Sequence, residues 1–138
     1  MEFGLSEQQT ALQDNVNRFL QEKAPLERVR QYCEEQQERA DDIWDGVVEL
    51  GLPALLIPER HGGIELAALD AAAVCECLGR HVTPSPFLST AVLAPTALLL
   101  AGSEEQQNQY LPEIAAGNTT FGAALSEATG TRRDAGVV

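Results

Sequence analysis

Few side chains in this sequence are chemically versatile, and they are scattered. Three cysteines, Cys33, Cys75 and Cys77, and two histidines, His61 and His81, are all the soft ligands and neutral-pH bases it has. Cys75 and Cys77 stand two apart, so a helix would turn them to different faces. Neither they nor the histidines carry metal-ligand spacing, and no metal site is expected. An odd number of thiols with no pairing frame reads as reduced, buried or half-buried cysteine in a cytoplasmic protein. The Ser126-Glu127 pair follows an extended-looking run, where such a pair is an ordinary turn signal. Charge narrows the choice further: 9 Lys and Arg face 21 Asp and Glu, a formal charge of −12. That field repels phosphates at a distance, so nucleic acid is excluded as a partner. An anionic ligand would need a local positive cluster or helix N-termini.

The elements that must position these residues are mostly helical. Ser6 and Gln9 have the spacing of a capping box. Leu12, Val16, Phe19 and Leu20 then fall on one helical face as far as Lys23, before Pro25. Leu26 to Arg39 is rich in charge and glutamine, with Leu26, Val29 and Cys33 at helical spacing, and reads as a short helix with a solvated face. Asp42 is expected to cap a third helix carrying Ile43, Trp44, Val47, Val48 and Leu50, which Gly51 stops. Leu52 to Pro58, bracketed by Pro53 and Pro58, reads as a buried extended connector, with Gly62 and Gly63 in the loop beyond. An alanine-rich helix over Leu69 to Leu78 should end at Gly79 and sit centrally. Ser85 opens a long apolar helix through Leu100, expected to bend near Pro95 and to close at Gly102. Ser103 and Gln106 repeat the capping-box spacing for a helix over Glu104 to Ala115, followed by a turn at Gly117 and Asn118. From Thr119 to about Ser126 the pattern becomes extended.

The fold class expected is therefore all-α: an orthogonal or antiparallel bundle of about six helices, ending in a short strand. One strand cannot satisfy its own main chain, and it asks for a sheet that these 138 residues do not contain. The chain is thus expected to be part of a larger whole. Residues 1–118 would be the helical domain, and residues 119–138 the start of a β-domain that is missing. The first ten residues do not resemble a signal peptide, and no apolar run approaches bilayer length. A soluble, cytoplasmic protein is expected.

Four stretches together resemble the N-terminal domain of acyl-CoA dehydrogenases. Phe3-Gly4-Leu5-Ser6-Glu7-Gln8-Gln9 is similar to that family's opening. Trp44 to Gly63 resembles its "W-x-x-L-a-e-L-G-L-x-g-l-x-I-P-E-x-x-G-G". Ala101 to Gly117 matches "G-s-e-e-Q-k-x-x-Y-L-P-x-i-a-x-G", and Ala123 to Glu127 is similar to "a-l-[TS]-E". The resemblance implies a flavin-dependent α,β-dehydrogenation of an acyl-CoA thioester, with FAD as cofactor. In the family the strand ending in that last motif lies against the flavin, which makes Ala123, Leu125 and Ser126 the implied flavin contacts. The start of the Ser85–Leu100 helix forms one wall of the acyl pocket, which makes Ser85, Phe87 and Ser89 the implied substrate residues. The family then continues "P-g-a-G-S-D", whereas this chain runs Ala128-Thr129-Gly130-Thr131-Arg132-Arg133-Asp134, without the proline and with arginine at the serine position.

The family's catalytic base belongs to a C-terminal helical domain, and much of its flavin site to the middle β-domain. Glu59 and Glu127 are the carboxylates best placed by motif, yet no catalytic residue is assigned in this chain. The chain alone is expected to be inactive and not to retain FAD. Its expected partners are acyl-CoA and the missing domains or a partner subunit, in an oligomer. The alternative is a non-catalytic helical subunit or interaction module pairing with a chain that carries the catalytic domains. Oxidase and monooxygenase relatives share the fold and differ in residues around the flavin.

Overall fold

A computed structural model describes residues 4–35 and 39–124. Among them are six α-helices: α1 (Glu7–Lys23), α2 (Leu26–Glu35), α3 (Asp41–Glu49), α4 (Ala68–Arg80), α5 (Ala94–Ala101) and α6 (Glu104–Ala115). A π-helical segment, Leu88–Leu93, runs into α5, and two short 3₁₀ turns, Leu52–Ala54 and Glu59–His61, connect α3 to α4. No helix among the described residues is long and apolar enough to cross a membrane.

Local chemistry sets most boundaries. The Ser6 hydroxyl accepts the Gln9 N–H and the Gln9 side chain accepts the Ser6 N–H, so α1 begins with two of its orphan donors satisfied. Ser103 and Gln106 do the same for α6. α1 buries Val16 and Leu20 and packs along α4. Gln13 Nε2 straps the pair together by donating to the Ala73 carbonyl and the Glu76 carboxylate. The alanine-rich α4 does sit against the main core, burying Ala71, Ala73, Val74, Cys77 and Leu78. That core gathers Leu20, Ile43, Trp44, Val47, Leu52, Val74 and Phe87. A smaller core of Ile57, Leu111 and Ile114 lies beneath α5 and α6.

Several expectations are corrected. Asp42 does not cap α3: the N-cap is Ala40, which makes no side-chain cap, and Asp42 instead takes both arms of the Arg28 guanidinium at 2.9 and 2.7 Å. The stretch from Leu52 to Pro58 is buried as expected, but it is coiled into a 3₁₀ turn rather than extended. On α2 only Val29 is buried, while Leu26 and Cys33 are exposed. α4 runs through Gly79 to Arg80. The long apolar helix does not simply bend at Pro95. Its preceding turns are π-helical, the Ala94 N–H reaching back to the Ser89 carbonyl. Proline has no N–H and its ring crowds the carbonyl four residues back, and a widened turn relieves both.

Gly51, at φ 72°, stops α3 in the left-handed conformation foreseen for it. In the Gly62-Gly63 loop, Gly62 has φ 81° and a Cβ on Gly63 would overlap the Ile57 carbonyl, so both positions need glycine for different reasons. Residues 119–124 form neither helix nor strand. The strand foreseen there has no sheet to join among the described residues, and its remaining positions, Leu125 and Ser126, lie outside them.

Candidate functional site

An open apolar groove of about 600 Å³ runs between the fifth helix and the segment that follows the sixth. One side is built from Ser89, Leu93, Ala94, Ala97 and Leu98, and the other from Phe121, Gly122, Ala123 and Ala124, with Gly102 and Gln106 at one end. The helical side is apolar because α5 reads Ala-Pro-Thr-Ala-Leu-Leu-Leu-Ala, without a charge. Beyond Phe121, the opposite side is main chain carrying very small side chains. Among the described residues, the amides and carbonyls of Gly122, Ala123 and Ala124 make no hydrogen bond. Such a surface suits a flat ligand that is apolar on its face and hydrogen-bonding along its edge.

The predicted site residues divide. Ser89 and Ala123 both line this groove. Ser89 keeps its hydroxyl local, donating to the Pro86 carbonyl at 3.0 Å. Ser85 lies elsewhere: its Oγ accepts the Phe87 N–H at 3.2 Å and so starts the helix. It lines two other cavities, one between α4 and Leu88, and a larger charged one beside Arg28, Arg39, Asp41 and Asp42. Phe87 is 1% exposed and belongs to the main core. Leu125, Ser126 and Glu127 lie outside the described residues. Glu59, exposed at the start of its 3₁₀ turn, donates its N–H to the Glu65 carboxylate.

Two contributors escaped the sequence reading. Thr90 is fully buried, and its hydroxyl accepts the Phe121 N–H at 2.9 Å while lying 3.4 Å from the Phe121 carbonyl. Phe121 packs edge-on against Tyr110, with ring centroids 5.7 Å apart and planes at 84°. The pairing spans 31 residues, and no local pattern announces it.

Titratable groups near the cavities are tuned toward structure. Hydrogen bonding to Arg28 holds the Asp42 carboxyl below its ordinary value. Burial pushes the Cys75 and Cys77 thiols up, away from the reactive thiolate. Among the described residues no group of three His, Cys, Asp or Glu comes together as a metal site.

Comparison with known proteins finds the same architecture. The model of a family described as acyl-CoA dehydrogenase, N-terminal domain, matches residues 6–118. The acyl-CoA dehydrogenase IpdE2 of Mycolicibacterium smegmatis is 36% identical over 118 residues, covering 85% of this chain and 38% of that protein. The human mitochondrial very long-chain specific acyl-CoA dehydrogenase is 28% identical over 132 residues, covering 86% of this chain and 19% of its own length. In the crystal structure of the ChsE4–ChsE5 complex from Mycobacterium tuberculosis, one chain superposes with a TM-score of 0.85 at 26% identity, over 95% of this chain and 36% of that one. The chain thus spans about a third, or less, of the length of these relatives.

Proposed function

The chain belongs to the acyl-CoA dehydrogenase family, as its N-terminal domain, and from that premise we propose that it forms one wall of a site where an acyl-CoA thioester meets FAD. The observation that carries this reading is the apolar groove that Ser89 and Ala123 both line. The reaction is α,β-dehydrogenation of the thioester, and bound flavin would supply the acceptor for the hydride leaving the β-carbon, which no ordinary side chain can be.

The part played by this chain is placement and exclusion of water. The charge-free wall from Ser89 to Leu98 gives an alkyl chain a dry surface, and dryness strengthens every polar contact inside the site. Across from it, the main-chain groups of Gly122 to Ala124, which make no hydrogen bond among the described residues, are available to the edge of the flavin ring, and the family resemblance adds Leu125 and Ser126 to that contact. Phe87, buried in the core behind that wall, supports it by packing, and Ser85 starts the same helix by accepting the Phe87 N–H. The proton at the α-carbon requires a carboxylate poised over it, and the thioester carbonyl requires donors that tighten as enolate charge grows. Both come from outside these residues. With a formal charge of −12, this chain also leaves the phosphates of FAD and coenzyme A to positive groups elsewhere.

In this reading residues 1–118 are the helical domain and 119–138 lead into the flavin-holding β-domain. The remaining domains follow in one polypeptide or arrive on a partner subunit, where this chain would serve as a helical interaction module. In the relatives the matched segment is part of one chain more than twice as long, which supports the first arrangement. Purification tests it. The chain expressed alone should be colourless, and mixed with a polypeptide carrying the other two domains it should co-elute as a yellow species whose flavin an acyl-CoA bleaches. A chain that saturates with FAD by itself would overturn the reading, as would a flavin unresponsive to any acyl-CoA in the assembly.

A further inference from the structure

We infer that Thr90 is a positioning residue, its buried hydroxyl fixing the path of Phe121–Ala124 along the groove. The inference rests on the flavin reading above for its consequence, although not for its geometry. Thr90 has no exposed surface. Its Oγ1 accepts the Phe121 N–H at 2.9 Å, and the hydroxyl lies 3.4 Å from the Phe121 carbonyl, to which it donates. Both main-chain groups of Phe121 are thus met by one side chain 31 residues away. The edge-on contact with Tyr110 then fixes the ring.

Beyond that anchor the segment makes no further hydrogen bonds among the described residues, so Gly122, Ala123 and Ala124 inherit their placement from it. Thr90 follows Ser89 directly, and Ser89 lines the facing wall of the groove. Adjacent residues of one π-helical segment thus serve the two walls, Ser89 lining one and Thr90 anchoring the other. Valine has the shape of threonine without the oxygen. In its place the Phe121 N–H and carbonyl would lose their partner while half-buried, and main-chain groups in that position seek another arrangement.

The test uses the flavin-containing assembly with Thr90→Val and Thr90→Ser. Amide exchange at Phe121 should accelerate roughly tenfold in Thr90→Val, the loss of about one hydrogen bond, while exchange in α1 and α4 stays unchanged as the control for folding. The flavin absorbance band should shift and kcat should fall more than KM changes. Thr90→Ser should restore all three. Wild-type exchange at Phe121 in Thr90→Val would overturn the positioning role. Faster exchange with an unmoved flavin band and unaltered kcat would leave the anchor standing and sink the flavin reading instead.

Discussion

Val82 occupies a conformation that valine rarely tolerates. Its φ is 51°, in the left-handed region, and its side chain is 64% exposed. The hydrogen bonds explain why the backbone turns there. Thr83 N–H returns to the Leu78 carbonyl and Val82 N–H to the Gly79 carbonyl, which is the pattern that closes a helix with a left-handed residue. α6 ends in the same way, with Asn118 bonded to Glu113 and Gly117 to Ile114, and there glycine fills the left-handed position. A β-branched residue in that region costs on the order of 1–2 kcal/mol. Val82→Gly should therefore raise stability by about 1 kcal/mol after the entropy of glycine is subtracted, read as a higher melting temperature by calorimetry. The Arg28–Asp42 pair carries a prediction of opposite sign. Asp42 is held below its ordinary value of 3.8 chiefly by its hydrogen bond to Arg28. A lowered folded pKa adds stability above the unfolded value, lost as pH falls through the folded one. Asp42→Asn should thus melt earlier than the parent at pH 7, and the two curves should converge in acid below the ordinary carboxylate range. A gap that persists there would mean that Asp42 acts through packing rather than charge.

Helices meet closely where a side chain has been removed. A Cβ on Gly46 in α3 would overlap the ring of Phe19 on α1, so this glycine is a packing choice that lets the two helices approach. Gly46→Ala should destabilise by roughly 1–3 kcal/mol, the cost of overpacking a core, and Gly46→Ala with Phe19→Leu should recover much of it in chemical denaturation. An additive double variant would show that the ring is not what the methyl meets. The sequence disclosed such elements unevenly, and distance explains the unevenness. Ser6–Gln9 and Ser103–Gln106 are three residues apart, so their caps could be read directly, and both helices start where those pairs put them. Gly51 was legible for the same reason. Asp42 looked like a cap by its neighbours but answers to Arg28, 14 positions earlier. The π-helical turns before Pro95 and the Thr90–Phe121 anchor depend on how two walls of a groove meet, and a one-dimensional pattern holds no record of that. Ser89 and Ala123 were named from the family resemblance and both line the groove, whereas Thr90, which ties the two walls together, carried no signal at all.

The molecule as a whole separates charge from grease. Leu88 through Ala101 contains no charged residue in a chain of formal charge −12. α5 presents Leu98 and Leu99 to the smaller core, yet Leu100 on it is 82% exposed and Leu93, just before it, 36%. A helix apolar on every side belongs inside a protein rather than at its surface. This outer stripe borders the groove, so on the proposed reading it faces the polypeptide that supplies the flavin-holding domains. Leu100→Glu should then split stability from assembly. Alone, the variant chain should melt within ~0.5 kcal/mol of the parent, since a fully solvated leucine contributes little to folding. Mixed with the flavin-bearing polypeptide, it should bind at least roughly tenfold more weakly, because a carboxylate would have to be buried without a partner. Asn108→Asp, on the exposed face of α6, adds the same charge away from the stripe and should bind as the parent does. Sedimentation of the three mixtures decides the matter: equal assembly by Leu100→Glu and the parent would mean that water, not protein, covers this face in the complete molecule.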